Sequence, residues 1–453
     1  MKRLTQIQIL VYLIVLPNIC LAQLSPMRSV VVDFPNPPIL NVTTTEDGHD
    51  TNPGDGRCHI GTRLFRGNCS LRAAIEEANH RVGAQTIIIP PGTYGLTLGQ
   101  LLITQSVTLH GSDKWTTVID GNRQSRVLVI SSLSPIMTAE PAVTVHISGV
   151  TIQNGYESFY ATGGAFVDKG TSLTLNNSIV TKNYANQFGG GMGNSGYLKL
   201  IDSMVTENSV PEGEGGGVTA SGGGIFNNGS AITEIWSSTI SGNKGTRGAG
   251  IYNLGELHLK NSTVSGNSAQ TQGGGILNYG YLATSFVTIT DNTASLARGV
   301  ASERTGGGGL YNAAMPPHSV HLSSTILAGN VDYQGSPSLP DFSPDCFSTG
   351  PIITEGTNLF GMTGGPPCLM QGSRPGDPLD VYRPDPLLEP LSGTGGPTWT
   401  HRLKSDSPAV DKAKRPVGLH FYDCPANDQM GNIRPIDGDN DGTMQCDIGA
   451  VER

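Results

Sequence analysis

At 453 residues the chain is long enough for two or three globular domains, and one solenoid with caps fits equally well. Only 14% of residues are charged and the formal net charge is -9, with no Lys/Arg cluster, which argues against a nucleic-acid partner. After the N-terminus no stretch is long and apolar enough to span a bilayer.

Residues 1–22 read as a secretory signal. Lys2 and Arg3 form the charged end, Ile7 to Leu16 the apolar stretch, and Cys20-Leu21-Ala22 a small-residue cleavage site before Gln23. Residues 23–84 read as an N-terminal cap. It opens on a short strand at Ile39-Leu40-Asn41-Val42-Thr43 and continues through an acidic, Gly-rich loop from Asp47 to Gly56. A helix is predicted over 70–81, with Leu71, Ala74, Ile75 and Ala78 on one face. Such a helix can plug the open end of a solenoid, whose unpaired edge would otherwise template aggregation.

Residues 85–330 carry the repeats. Six times a glycine cluster leads into an apolar residue and then Asn or Asp. The clearest copies end at Asn227, Asn253 and Asn278, and looser copies at Asp168, Asn194 and Asn312. A second unit, Ser/Thr-x-Ile/Val-x-x-Asn, ends at Asn183, Asn208, Asn243, Asn267 and Asn292, spaced 25, 35, 24 and 25 apart. A fixed period with insertions only between units marks a solenoid. Each unit is too short and Gly-rich for a helix, and its alternating apolar residues read as short strands between glycine corners. The expected fold is all-β, a right-handed parallel β-helix of about 8–9 coils with a rise near ~4.8 Å per coil. Val180, Val205, Ile240, Val264 and Ile289 should form an inner column. Asn194, Asn227, Asn253, Asn278 and Asn312 should form an amide ladder at one corner. Residues 331–385 are Pro-, Gly- and Asp-rich, with room for one more strand at Gly356-Thr357-Asn358-Leu359-Phe360, and 386–453 read as a C-terminal cap.

Signal cleavage removes Cys20 and leaves six of the seven cysteines, in the close pairs Cys58/Cys69, Cys346/Cys368 and Cys424/Cys446. Export permits disulfides, and fifteen connectivities are open. Neighbour pairing is favoured because each pair lies in an irregular, cap-like segment. Zinc is disfavoured, with no C-x-x-C and no His at ligand spacing.

Three segments carry a family resemblance. Cys69-Ser70-Leu71-Arg72-Ala73-Ala74-Ile75, behind an acidic loop and Cys58, resembles the CSLREA segment of secreted bacterial β-helix proteins. The Gly-Gly-Gly-Ile and Ser-Thr-Ile-Ser-Gly-Asn units resemble the repeats of polymorphic outer membrane proteins. The tail resembles the choice-of-anchor Q domain through Thr325-Ile326-Leu327-Ala328-Gly329-Asn330, Gly396-Pro397-Thr398-Trp399-Thr400-His401, Ser407-Pro408-Ala409-Val410-Asp411 and Cys446-Asp447-Ile448-Gly449-Ala450-Val451-Glu452. The resemblance implies an exported, secreted or surface-associated bacterial protein and no defined reaction. Where the family motif has Glu, this chain has Ala73, so a capping box with Ser70 is lost. Relatives often carry a sorting segment after Gly-Ala-x-Glu; the chain stops at Arg453, and a covalent anchor is not expected.

Asp437-Gly438-Asp439-Asn440-Asp441-Gly442 has the D-x-D-x-D-G spacing of a calcium loop, with Asp437, Asp439 and Asp441 as ligands. Its EF-hand Glu position falls on Ile448, and Asp447 or Glu452 could substitute. The alternative is a solvated acidic turn. Asp47, Asp50 and Asp55 form a second, irregularly spaced candidate. Enzymes on β-helices commonly act on acidic polysaccharides and need a base beside carboxylates. The coils offer Lys182, Glu207, Lys244, Arg247, Glu256, His258 and Lys260 without an obvious cluster. The catalytic suspect is Asp168 beside Lys169, set against an end-of-ladder substitution. His318 and His321 read as solvated loop histidines.

Aromatic residues also fall in columns: Phe226, Tyr252 and Tyr311 with Leu277, and Tyr197 and Tyr281 with Ser230 and Glu256. Facing solvent, they would make a glycan-binding strip; facing inward, core. Thr239-x-Ser241, Thr263-x-Ser265 and Thr288-x-Thr290 should face outward as a hydroxyl array, which ordinary strand propensity also explains. Together these features describe a secreted or outer-surface protein, adhesin-like or glycan-binding and non-catalytic. It would hold structural calcium and take a polysaccharide or cell-surface glycan as partner. The alternative is a polysaccharide lyase or related carbohydrate-active enzyme on an acidic glycan. A cluster of Lys/Arg with two or more acids favours the enzyme, and exposed Tyr and Thr columns favour binding.

Overall fold

Successive strands enter three long sheets in turn, and each strand pairs in parallel with its copy one coil away. The computed structural model describes residues 39–61, 67–81, 83–132, 142–158, 162–211, 220–295, 306–332, 344–361, 370–371, 380–393, 395–413 and 423–453. The signal segment and Cys368 lie outside them. Among the described residues the first sheet has twelve strands, the second eleven and the third nine. This is a right-handed parallel β-helix, the hand that strand twist imposes on parallel crossovers. The coils reach beyond residue 330: Cys346–Ser348, Ile352–Glu355 and Leu359–Phe360 add one strand to each sheet. At the other end Ile39–Asn41 pairs with Thr86–Ile88, so the N-terminal cap supplies the first strand of the first sheet.

The helix spans Leu71–Asn79, and the Ser70 hydroxyl caps it by accepting the Ala73 N–H at 3.0 Å. Leu71, Ala74, Ile75 and Ala78 are buried in the core cluster that fills the coils. Cys58–Cys69 and Cys424–Cys446 are disulfides. Cys346 is disulfide-bonded as well, and its expected partner Cys368 lies outside the described residues.

Inside, Val205, Ile240, Val264 and Ile289 stack in register with no exposure. The corners are polar and equally regular. From the first sheet to the second, Asn177, Asp202, Ser237 and Asn261 adopt left-handed φ of 45–55°, and each is followed by a Ser. The Ser178, Ser203 and Ser238 N–H groups donate to the hydroxyls of Ser203, Ser238 and Ser262, 3.1 Å each. After the second sheet, Lys182, Glu207, Gly242, Gly266 and Asp291 share one column and one left-handed conformation. This backbone requirement accounts for that mixed column. The next residue is Asn in every case, and these amides form a ladder: Asn183 Nδ2 donates to Asn208 Oδ1, and so on through Asn243, Asn267, Asn292 and Asn330 to Asp345. The ladder expected from the Gly-rich units runs at the remaining corner from Asn194 through Asn227, Asn253, Asn278 and Asn312 to Ser348. Asp168 does not belong to it, because Val167, not Asp168, pairs with Asn194.

The described residues of the tail, 386–393, 395–413 and 423–453, make their contacts to the coils from the side. They lie along the outer face of the second sheet, where the Thr and Ser columns offer hydroxyls and Phe286 and Ile326 offer apolar contacts to Ala409, Val410 and Ile448. The Thr239 hydroxyl donates to Trp399 O, Thr263 to Gln429 Oε1 at 2.6 Å, and Thr288 Oγ1 accepts the Ala450 N–H at 3.1 Å. His401 donates from Nδ1 to Glu389 O and accepts the Ser265 hydroxyl at Nε2, 2.7 Å each. Burial pushes its pKa down, in keeping with a neutral ring. The expected hydroxyl array is therefore an internal seam: Thr239, Ser241, Thr263, Ser265, Thr288 and Thr290 are all buried. Farther along, Arg434 lies over the Phe286 ring at 4.9 Å with Nε 3.1 Å from Glu452 Oε2.

Two outcomes follow for the ladder. Asn267→Ala takes an acceptor from the Asn243 N–H groups and a donor from Asn292 Oδ1 and the Ile240 carbonyl inside a buried corner, and should cost about 2–4 kcal/mol in a reversible denaturation measurement. The exposed Asn186→Ala serves as control and should cost under about 0.5 kcal/mol. At the ladder end, burial pushes the Asp345 carboxyl up to about 6. Its folded pKa is above the unfolded value, so stability falls as pH rises from about 4 to 6 and stays low above that. Asp345→Asn should stabilise at pH 7–8 by up to about 3 kcal/mol and change little at pH 4. Melting curves across pH check this; an equal gain at both ends of the range contradicts it.

Candidate binding face and carboxylate loops

With the second sheet covered by the tail, the outer faces of the first and third sheets remain. On the first sheet, alternation turns Leu198, Leu200, Ile235, Leu257 and Leu259 inward with no exposure and directs their neighbours out. Coil stacking then brings together residues far apart in sequence. Lys199 Nζ sits 2.8 Å from Glu234 Oε2 and 3.4 Å from the centre of the Trp236 ring. Tyr197 also hydrogen-bonds Glu234, and burial together with that carboxylate pushes its hydroxyl pKa well up.

The neighbouring coils extend this face. His258 Nε2 lies 2.6 Å from Glu256 Oε1. The Tyr281 ring is 5.5 Å from both the His258 and the His321 rings. His321 Nδ1 is 3.1 Å from Glu355 Oε1, and Nε2 is 2.8 Å from the Ser319 hydroxyl. A neutral His321 with its proton on Nδ1 thus donates to Glu355 and accepts from Ser319. Glu355 is buried, and its second oxygen has no hydrogen-bond partner. His321 is therefore not a solvated loop histidine. It lies in the strand Val320–Ser323, held from both sides. Tyr197 and Tyr281 share a column through Ile232 and Glu256, with Ile232 in the place assigned to Ser230. The turn at Asn228-Gly229-Ser230-Ala231 is two residues longer than Ser195-Gly196, and that shifts the count.

On the third sheet Phe226, Tyr252, Leu277, Tyr311 and Phe347 are in register. Phe226 and Tyr252 stack at 5.5 Å and are half-buried. Burial pushes the Tyr252 hydroxyl up to about 12. Tyr311 stacks on Phe347 at 4.7 Å and is buried with Leu277, so this column packs largely on itself. Asp168 holds the Ser131 hydroxyl at 2.7 Å and the Lys169 N–H. This is a turn-fixing role away from the ionisable row.

The acidic loops separate by geometry. Asp47 is taken up by Arg72 and by the N–H groups of Thr97 and Leu98, and these donors hold its pKa below the usual carboxylate range despite burial. Asp50 accepts the Asn52 N–H and Asp55 the Arg57 N–H, and among the described residues Asp47, Asp50 and Asp55 do not form a carboxylate cluster. In the C-terminal loop, Asp437 and Asp439 converge with Asp411, which the sequence spacing did not single out. Asp441 does not join them; its carboxylate turns back to accept the Thr443 N–H at 2.8 Å.

Among the described residues no helix is long and apolar enough to cross a membrane. No protein-family model and no curated protein matches the chain. The crystal structure of pectate lyase Pel9A overlays it with a TM-score of 0.42 and 12% identity, over 92% of this chain and 98% of that one.

Proposed function

We propose that this is an exported, adhesin-like β-helix protein that binds a polysaccharide or cell-surface glycan, without catalysis, along the outer face of the first sheet. The supporting observation is a face of half-exposed groups over five adjacent coils: Tyr197, Glu256 and Tyr281 in one column, Glu234, His258 and His321 in the next, and Trp236 beyond them. Aromatic rings offer stacking faces for sugar rings, and the carboxylates and imidazoles offer acceptors and donors for hydroxyls. A polymer lying along the stack would meet this chemistry at successive coils, about 4.8 Å apart. The disulfides fit an oxidising, extracellular setting.

The catalytic alternative has one observation in its favour. The Glu355–His321–Ser319 line orients an imidazole as a general base requires, with Lys199 and two further acids on the same face. In a lyase reaction such a base would take the proton next to a uronate carboxyl as the glycosidic oxygen leaves.

A glycan array followed by titration separates the two readings. Trp236→Ala and Tyr281→Ala should each weaken binding by about 1 kcal/mol, roughly fivefold in Kd, while Tyr252→Ala on the third sheet leaves it unchanged. Binding that ignores both first-sheet variants sinks the assignment. Release of unsaturated sugars by the wild type, lost in His321→Ala, would establish the lyase instead.

A further inference from the structure

We propose that Asp411, Asp437 and Asp439 hold one calcium ion in the tail, independently of what the first sheet binds. One oxygen from each carboxylate lies within 4.8 Å of the other two. Asp411 is only 6% exposed. Its Oδ2 accepts the Asp439 N–H at 2.8 Å, but its Oδ1 has no hydrogen-bond partner. A buried carboxylate oxygen without a donor is costly, and two more acids beside it raise the cost. A cation between the three relieves both.

The loop is shaped for this before any ion arrives. Asp437 accepts the Asp441 and Gly442 N–H groups, one on each oxygen, and Asp439 Oδ1 also accepts the Asp441 N–H. Asn440 and Gly442 take left-handed φ of 60° and 88° to make the turn. A carboxylate oxygen has a second lone pair, so these bonds leave ligating capacity. Lys412 Nζ lies 3.7 Å from Asp439 Oδ2, but its side chain is about half exposed and can swing into solvent. An all-oxygen, irregular ligand set suits calcium, which takes 6–8 oxygens in flexible geometry, better than magnesium, which demands a near-ideal octahedron. Carbonyls and water would complete the shell. Asp411 follows Ala409 and Val410, which pack with Phe286 and Ile326 of the coils, so the ion would fasten the loop to the part of the tail that grips the solenoid.

The test is calorimetric titration of the full chain with calcium chloride after chelation, paired with thermal melts. One site per chain should fill with Kd near ~10⁻⁴–10⁻³ M, and the melting temperature should rise with calcium and fall with chelator. Asp411→Asn keeps an acceptor for the Asp439 N–H but removes a ligand charge, and should weaken binding roughly tenfold or more. Asp439→Asn, on the exposed side of the loop, should do the same without disturbing the tail core. Asp441→Asn should change the affinity less than about twofold. A wild type that neither binds nor responds to chelation overturns the proposal and leaves an acidic turn. A full calcium response in both Asp411→Asn and Asp439→Asn, or its loss in Asp441→Asn, overturns this ligand set.

Discussion

Buried amides repeated in register are what the rest of the molecule depends on. Corners this sharp bury backbone N–H and C=O groups that the strands themselves leave unpaired. Asn residues in adjacent coils solve the problem for each other. Asn267 Nδ2 donates to Asn292 Oδ1 and to the Ile240 carbonyl, while Asn267 Oδ1 takes both the side-chain and the backbone N–H of Asn243. The arrangement works only when neighbouring coils are aligned, so a slip would strand several buried donors at once. With alignment held at the corners, the apolar interior and the outer columns follow.

The three faces of the prism then meet different ends. The second sheet turns hydroxyls outward, and the tail covers them. The third sheet turns aromatics outward, and several of these bury one another, as Tyr311 and Phe347 do. The first sheet turns outward ionisable groups that pair laterally, Lys199 with Glu234 and His321 with the buried Glu355, and Lys199, Glu234 and His321 remain within reach of solvent. The proposed binding face is the first sheet because its strands present ionisable and aromatic groups that neither the tail nor each other covers completely.

The fold was legible because its signals are local and repeated: Ile225-Phe226-Asn227 and its copies announce strand, face and corner together. The inner Val/Ile column and the Asn194–Asn312 ladder followed from the same repetition, and two neighbour disulfides followed from close cysteine pairs in the irregular segments outside it. The second ladder was visible as a period but not as a structure, because the Asn of Ser-Gly-Asn also looks like an ordinary turn residue. The candidate site was much less legible. Its residues lie on the strands between the two repeat units, where turns differ in length, as at Asn228–Ala231, and a column cannot be counted through such changes. Glu256, His258 and Lys260 were visible as ionisable residues without a cluster, because nothing in the sequence shows which residue the next coil sets beside them. Asp411 was hidden for a similar reason: it comes to Asp437 through the path of the tail, not through spacing.

The tail also changes how the solenoid should behave as a thermodynamic system. Stacked coils touch only their neighbours, so they tend to behave like a one-dimensional chain in which an end can fray without consulting the middle. Here one segment bonds Lys114 through Pro397, Thr239 through Trp399, Thr263 through Gln429, Thr288 through Ala450 and Ser324 through Gly449. Coils separated by much of the stack thus share a single partner. Opening any of them forfeits contacts that belong to the tail as a whole, so unfolding gains a long-range coupling that nearest-neighbour stacking lacks. A splint of this kind trades the gradual fraying of a repeat array for the all-or-none transition of a globular domain.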